Sequence, residues 1–396
     1  MRKIFLIFFI LIGENIFSQQ LWHDKERTLR YHPEGNDIVI ENGDKRFNRA
    51  LYGGNTAFRA EAGDLPEFAL YMPGMGGNLK FGIIANGRSK WLIDAKHIKA
   101  SYRAGSMLYE IKDELLGNGQ IFLQAIATYD DEALILKIRS KNINSNVELV
   151  AVFGGATGKK FSRDGDIGAD PESSFYLRPE YCTDNFYKID KNSFSLLYGF
   201  SKPLSDDERY EVQHLPGGKI NDTTSDKAKK IRGVFPGGMN IAISSANSLQ
   251  NPLSVFDSSA SSFPVIASRK KLQQDEELFF LIGKQDPDEV LQADIKKKFD
   301  AAESERKKLA ERIKISTPDT FINALGPVLG IAADAIWEDP SFMHGAVAWR
   351  MRLNGWRGAY AADVLGWHDR AKKHFSSYAL SQIKDPMTGP VVADTA

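Results

Sequence analysis

Residues 289–313, EVLQADIKKKFDAAESERKKLAERI, decide how this chain is read. The stretch contains neither Gly nor Pro. Leu291, Ile295, Phe299, Ala302, Leu309 and Ile313 recur at helical spacing among Lys, Glu and Arg. That period gives one apolar stripe and an opposite charged face laced by i,i+4 pairs. The run Lys296-Lys297-Lys298 has acidic residues on both sides and reads as part of the solvated face. Asp286-Pro287-Asp288 punctuates the sequence just before it. The spacing predicts a linker helix that lies on the preceding unit and leads to the next.

Upstream, the pattern is one of short apolar or alternating runs cut by turn residues. Asp37-Ile-Val-Ile-Glu41 is followed by the hairpin signal Asn42-Gly43, and residues 79–84 are closed by Asn86-Gly87. Further runs cover 91–93, 107–111, 121–129, 133–138, 147–153, 194–200, 239–244 and 278–282. So many short strands over about 260 residues predict a large antiparallel β-sandwich of two sheets. The glycine-rich 72–77 stretch reads as a loop between strands. No Lys-Ser/Thr helix start follows it, which excludes a phosphate loop.

Downstream, Ser316-Thr-Pro-Asp319 reads as a helix start, with Thr317 as N-cap, Pro318 at the first position and Asp319 in the first turn. This helix is expected to reach about Trp337. A second is expected over 369–383, with Ala371, Phe375, Tyr378, Ala379 and Ile383 on its apolar side. Pro340, Gly345, Gly355, Gly358 and Gly366 interrupt the region between them, which is expected to be partly loop. The expected organisation is a signal peptide over 1–18, a β-sandwich domain over 19–285, a linker helix over 286–316 and the start of a helical domain over 317–396.

With 396 residues the protein is long enough for more than one core. Fifty-one Lys and Arg balance 51 Asp and Glu, so no global positive field gathers nucleic acid or an anionic membrane. Arg2 and Lys3 precede an apolar run over 4–12 that is too short to span a bilayer, and Ser18-Gln19 offers a cleavage point. Export to the periplasm or beyond is expected, with no lipid-bearing cysteine and no later membrane span. Cys182 is the one cysteine of the sequence and reads as a buried apolar residue rather than a reactive thiol.

Chemistry concentrates in residues 332–375. These hold four of the six tryptophans and three of the seven histidines, with Arg350, Arg352, Arg357 and Arg370. Indole faces stack on the C–H faces of sugars, while guanidinium and carboxylate groups bond ring hydroxyls. A carbohydrate is therefore the expected partner, and no cofactor is needed. The competing reading is a Trp-rich helix core with Arg and Asp paired at its edges. Elsewhere, Asp164, Asp166 and Asp170 form a weak candidate calcium loop. The EF-hand pattern is incomplete there, with Gly168 at a ligand position and no Glu at the twelfth, and a polar turn is the default reading. No HExxH or paired-cysteine spacing supports zinc, and no Gly-x-Ser-x-Gly elbow supports a serine hydrolase.

A β-sandwich, a linker helix and then helical hairpins with aromatic and acidic connections resembles six-hairpin glycosidases, which carry an (α/α)6 toroid. Three stretches, FNRALYGGNTAFRAEAGDLPEFALYMPGMGGNL (47–79), FSRDGDIGAD (161–170) and DPSFMHGAVAWRMRLNGWRGAYAADVLGWHDRAKKHF (339–375), look like a Bacteroidetes family of large exported proteins known only as a domain of unknown function. The resemblance covers nearly all of the sequence after residue 18. It implies that Trp356, Arg357, Asp363, Trp367, His368 and Arg370 grip a sugar. It also implies two catalytic carboxylates, for which Asp369 and then Glu338 are the candidates present. About 80 residues follow Thr317, room for one or two hairpins. The toroid is therefore expected to be incomplete, and the sequence truncated at its C-terminal end. The function expected is glycoside hydrolysis by a carboxylate pair on a poly- or oligosaccharide. Two alternatives stand beside it: a non-catalytic sugar-binding protein, and a polysaccharide lyase using His344, His368 or Tyr360 with Arg357.

Overall fold

The computed structural model describes residues 29–56, 58–72, 75–143, 146–157, 176–183, 185–197, 230–257, 263–284, 294–344 and 355–380. Expectations for the leader and for Asp164, Asp166 and Asp170 lie outside them.

The first part is all strand: β1 (His32–Glu34), β2 (Asp37–Glu41), β3 (Arg49–Leu51), β4 (Arg59–Ala62), β5 (Glu67–Met72), β6 (Met75–Ala85), β7 (Arg88–Trp91), β8 (His97–Arg103), β9 (Ser106–Lys112), β10 (Gln120–Ala127), β11 (Ala133–Lys141), β12 (Val147–Thr157), β13 (Phe186–Asp190), β14 (Ser193–Leu197), β15 (Lys230–Val234), β16 (Asn240–Ser245), β17 (Pro264–Lys271) and β18 (Glu277–Lys284). They form two antiparallel sheets. One has ten strands in the order β1-β2-β8-β9-β10-β11-β18-β15-β14-β13. The other has eight, β16-β17-β12-β6-β5-β4-β3, with β7 beside β6. This is the sandwich that period-two patterning implies.

Alternate residues of both sheets meet in one core. Its centre is a run of edge-on aromatic contacts: Phe68 on Phe81 at 6.4 Å between ring centres, Phe81 on Phe280 at 5.1 Å, Phe280 on Phe235 at 5.2 Å and Phe235 on Phe194 at 5.6 Å. Edge-to-face geometry suits the ring quadrupoles and adds about 0.5–1.5 kcal/mol per pair beyond burial.

The two Asn-Gly signals part ways. Asn86 and Gly87 both take positive φ and turn β6 into β7, as a tight hairpin requires. Asn42 also takes a positive φ, but the backbone there leaves the ten-stranded sheet for the eight-stranded one. Its side-chain Oδ1 accepts from the Ile98 N–H at 2.9 Å, and Gly43 packs where a Cβ would meet Asp64. The glycine-rich loop is a further correction. Gly76 and Gly77 lie inside β6, and a Cβ at Gly77 would sit 2.5 Å from the Phe153 ring.

Among the described residues four helices follow: α1 (Ile295–Ala310), α2 (Thr320–Ala335), α3 (Gly355–Val364) and α4 (His368–Leu380). A two-residue-stranded hairpin, β19 (Trp337–Glu338) with β20 (Ser341–Phe342), lies between α2 and α3. Helix α1 lies on the outer face of the ten-stranded sheet. Phe299 and Ala302 bury against Ile126, Ile135 and Leu281, and Arg306 donates to the Ala104 carbonyl at 3.1 Å. Burying a side chain the size of Phe299 contributes about 1.5–3 kcal/mol.

Helix α2 begins two residues later than the sequence suggests. Asp319 is its N-cap, accepting from the Phe321 and Ile322 N–H groups at 2.8 and 3.3 Å, while Thr317 accepts from the Asp319 N–H. Helix α2 packs closely on the preceding backbone because Gly330 and Gly326 have no side chain. A Cβ at Gly330 would lie 2.5 Å from the Leu309 carbonyl oxygen. Helix α3 occupies part of the region expected to be loop. Gly358 does not break it; a Cβ there would meet Phe342 at 2.8 Å.

Candidate functional site

The helical segment has its own small core of Trp337, Phe342, Ala359, Ala362, Trp367 and Ala371. Helix α2 is apolar for almost its whole length, and Asp334 is its one charged residue. A buried carboxylate needs a cation and hydrogen bonds. Arg370 on α4 supplies both, donating from Nη1 to Asp334 Oδ1 at 2.7 Å. Its guanidinium carbon stands 4.5 Å from the centre of the Trp367 ring and 5.5 Å from that of Trp337. Burial pushes the Asp334 carboxyl above its ordinary range, and Arg370 opposes that shift.

The same arginine reaches the sandwich. Tyr129, in the turn between β10 and β11, lies close enough to Arg370 and Asp334 for both charges to act on its phenol. Burial, then the Asp334 charge, raises the phenol, while Arg370 lowers it. Gly54 lies against the Tyr129 carbonyl and Gly53 against that of Thr128. The loop from the FNRALYGGNTAF stretch therefore abuts the turn that lies near Arg370. Arg312 also stands 5.0 Å from the centre of the Trp367 ring and donates to the Leu365 carbonyl at 2.6 Å.

The other candidates are placed differently. Asp369 is exposed in the first turn of α4. His368 and Asp363 pair through Nδ1 and Oδ1 at 2.7 Å on the surface. Arg357 is exposed on α3, and Trp356 belongs to the same helix, its side chain outside the described residues. Glu338 is half-buried on β19, next to Asp339, which pairs with Lys373. His374 is buried, and its Nδ1 accepts from the Phe342 N–H at 3.1 Å, so this nitrogen carries no proton.

The structure thus joins Trp367 and Arg370 to Trp337 and Asp334 in a packed layer, and leaves Arg357, Asp363, His368 and Asp369 on the surface. Sequence reasoning misses Asp334 and Tyr129. A lone charge inside an apolar helix is the available signal for Asp334; nothing local marks Tyr129. Two open grooves, of about 420 and 520 Å³, lie on the sandwich, the first bordered also by the start of α1, and none of the candidate residues lines either. Among the described residues no group of three or more His, Cys, Asp or Glu is arranged to hold a metal ion.

A second polar cluster sits on the outer face of the eight-stranded sheet, within the 47–79 stretch and its surroundings. Arg46 donates from Nε to Glu67 at 2.6 Å, Asn78 donates to the same carboxylate at 2.9 Å, and Arg59 pairs with Glu61 at 2.5 Å while stacking on Tyr71 at 3.9 Å. Burial raises the Glu61 carboxyl, against the pull of Arg59.

Residues 72–303, more than half of the sequence, match the family described as a domain of unknown function, DUF4450. The chain belongs to the DUF4450 family. No curated protein matches it. Among solved structures, this DUF4450 protein is similar to a bacterial glucoamylase complexed with acarbose, with a TM-score of 0.51 and 10% identity. The match covers 85% of this chain and 51% of the glucoamylase. An α-N-acetylgalactosaminidase from Bifidobacterium bifidum is matched at 10% identity over 72% of this chain and 41% of that one, with a TM-score of 0.21, too low to carry an argument. The glucoamylase likeness shows the fold: a sandwich followed by part of a helical toroid. The DUF4450 protein spans about half the length of the glucoamylase it matches.

Proposed function

We propose that this chain is the sandwich and opening helical part of an exported glycoside hydrolase. Its substrate is a poly- or oligosaccharide, cleaved by a pair of carboxylates without a cofactor. The observation that supports this most is the order of parts: sandwich, linker helix, then helices, in the arrangement shared with a glucoamylase over 85% of the sequence. Asp369 is the first carboxylate, exposed at a helix start, and Glu338 the second. Arg357, Asp363 and His368 offer exposed hydrogen-bonding groups to sugar hydroxyls, with Trp356 on the same helix as Arg357. Trp367 and Arg370 back that surface from the packed layer. The domains run 19–285, 286–316 and 317–396, after a leader over 1–18.

Two carboxyl groups about 5 Å apart would retain the anomeric configuration, and about 6.5–9.5 Å apart would invert it. The test is incubation of the full-length gene product with a panel of plant and host glycans, followed by measurement of reducing ends. Release of sugar supports the reading. Retention of a glycan on the protein with no reducing ends released favours a non-catalytic sugar-binding protein instead. The leader is tested by N-terminal sequencing of exported material, which is expected to begin near Gln19. No helix among the described residues is long and apolar enough to cross a membrane.

A further inference from the structure

The outer face of the eight-stranded sheet changes character along β17. Val265 and Ala267 are buried there with Val150 and Val152 of β12. Next on the same face come Arg269 and Lys271, both exposed. Alternate residues of a strand share a face and stand about 7 Å apart, so these two cations are neighbours. They border an open groove of about 520 Å³, together with Glu148 of β12, Asn240 of β16, Phe256 and Gln273. Small-molecule sites span roughly 300–1,000 Å³. The groove is separate from the helical layer around Arg370.

One held guanidinium organises the groove. Arg269 stands 4.9 Å from the centre of the Phe256 ring and 3.7 Å from Glu148, and its side chain remains 49% exposed. A stacked guanidinium has already given up much of its freedom, so less is lost when it bonds a ligand. The charges do not balance. Lys271 stands opposite Glu148 in the ladder, but Glu148 is the one carboxylate bordering the groove and it lies against Arg269. Lys270, also at the groove, is taken by Glu276 at 3.0 Å and by the Gly237 carbonyl at 3.3 Å. Among the described residues none pairs with Lys271. One positive charge is therefore unmatched. Asn240, opposite Arg269 in the ladder, and Gln273 add amide donors and acceptors.

We propose that this groove binds an acidic sugar unit of a polysaccharide. Arg269 and Lys271 hold its carboxylate or sulfate, and Asn240, Gln273 and Glu148 bond its hydroxyls. A surplus of one charge suits a sparsely charged chain. A nucleic acid requires many cations, and Lys and Arg are balanced by Asp and Glu over the whole sequence. That the ligand is a glycan rests on the glycoside hydrolase reading; that it is acidic rests on the groove. The groove holds a chain and does not cleave it.

The experiment measures retardation of the protein by polygalacturonate, by a sulfated galactan and by a neutral galactan in affinity electrophoresis, at 50 and 500 mM NaCl. At least one acidic polymer is expected to bind, with affinity falling roughly fivefold or more at the higher salt. Arg269→Ala with Lys271→Ala is expected to weaken that binding roughly tenfold or more and to leave any retardation by the neutral galactan unchanged. Glu148→Gln, which frees Arg269 from its carboxylate, is expected to strengthen it. Should the double variant fail to fold, Lys271→Ala alone decides, since this lysine gives up no ion pair. Absence of binding to both acidic polymers overturns the proposal, as does acidic binding that survives the double variant, or an equal loss of acidic and neutral binding. Single-stranded DNA bound as tightly through the same two residues assigns the groove to polyanions in general and also overturns it. Release of reducing ends is read separately. If no glycan is cleaved while acidic binding depends on Arg269 and Lys271, the hydrolase reading fails and the groove assignment stands.

Discussion

Arg370 donates to Asp334 at 2.7 Å while its guanidinium lies over the indole of Trp367. The contact joins α4 to α2, and the charges of both residues act on Tyr129 of the sandwich. Removing one member of such a buried pair leaves an uncompensated charge, which costs about 3–5 kcal/mol. Arg370→Met is therefore expected to lower stability by about 3 kcal/mol or more at neutral pH, read from urea unfolding. A loss under about 1 kcal/mol would mean that the pair is no more than a surface contact.

The same variant carries a pH signature. Without Arg370, burial of Asp334 is opposed only by the Arg312 charge, so its folded carboxyl lies further above its unfolded value. The folded state then binds the proton more tightly, and stability rises as pH falls through the folded pKa. The deficit of Arg370→Met relative to wild type should shrink on acidification and be largest at neutral pH. A deficit that is constant, or that grows toward acid, contradicts the assignment.

The cap of α2 separates two neighbouring residues. Asp319→Ala should cost about 1 kcal/mol, because two N–H groups lose their acceptor. Thr317→Ala should cost less. The reverse order, measured by thermal unfolding, would restore the sequence-based assignment of Thr317.

Gly330→Ala would place a methyl group 2.5 Å from the Leu309 carbonyl oxygen, an atom on a backbone that cannot step aside cheaply. The expected cost is about 1–3 kcal/mol, even though alanine is the better helix former. A stabilised variant would show that α1 and α2 are not packed this closely.

Much of the fold is legible in the sequence because it is local. Strand-length apolar runs report the sandwich, and the unbroken period over 289–313 reports α1. What fails is decided at a distance. Asn42-Gly43 and Asn86-Gly87 are the same signal, and the neighbouring Ile98 and Asp64 make the first a crossing between sheets rather than a hairpin. Gly358 reads as a break because its reason, contact with Phe342, lies in another element. The site is half legible for the same cause. Tryptophan with arginine builds either a sugar cradle or a helix core, and for Trp367 and Arg370 the difference is made by Asp334, 36 residues away. Sequence spacing alone carries no record of that meeting.

The most direct test of the central claim is the rate of glycan cleavage by the full-length gene product and by its Asp369→Asn variant, with kcat and KM measured separately. If Asp369 is one of the two catalytic carboxylates, kcat falls by about three orders of magnitude or more with KM little changed, as when an interaction made only in the transition state is lost. Unchanged kcat in Asp369→Asn would contradict the account.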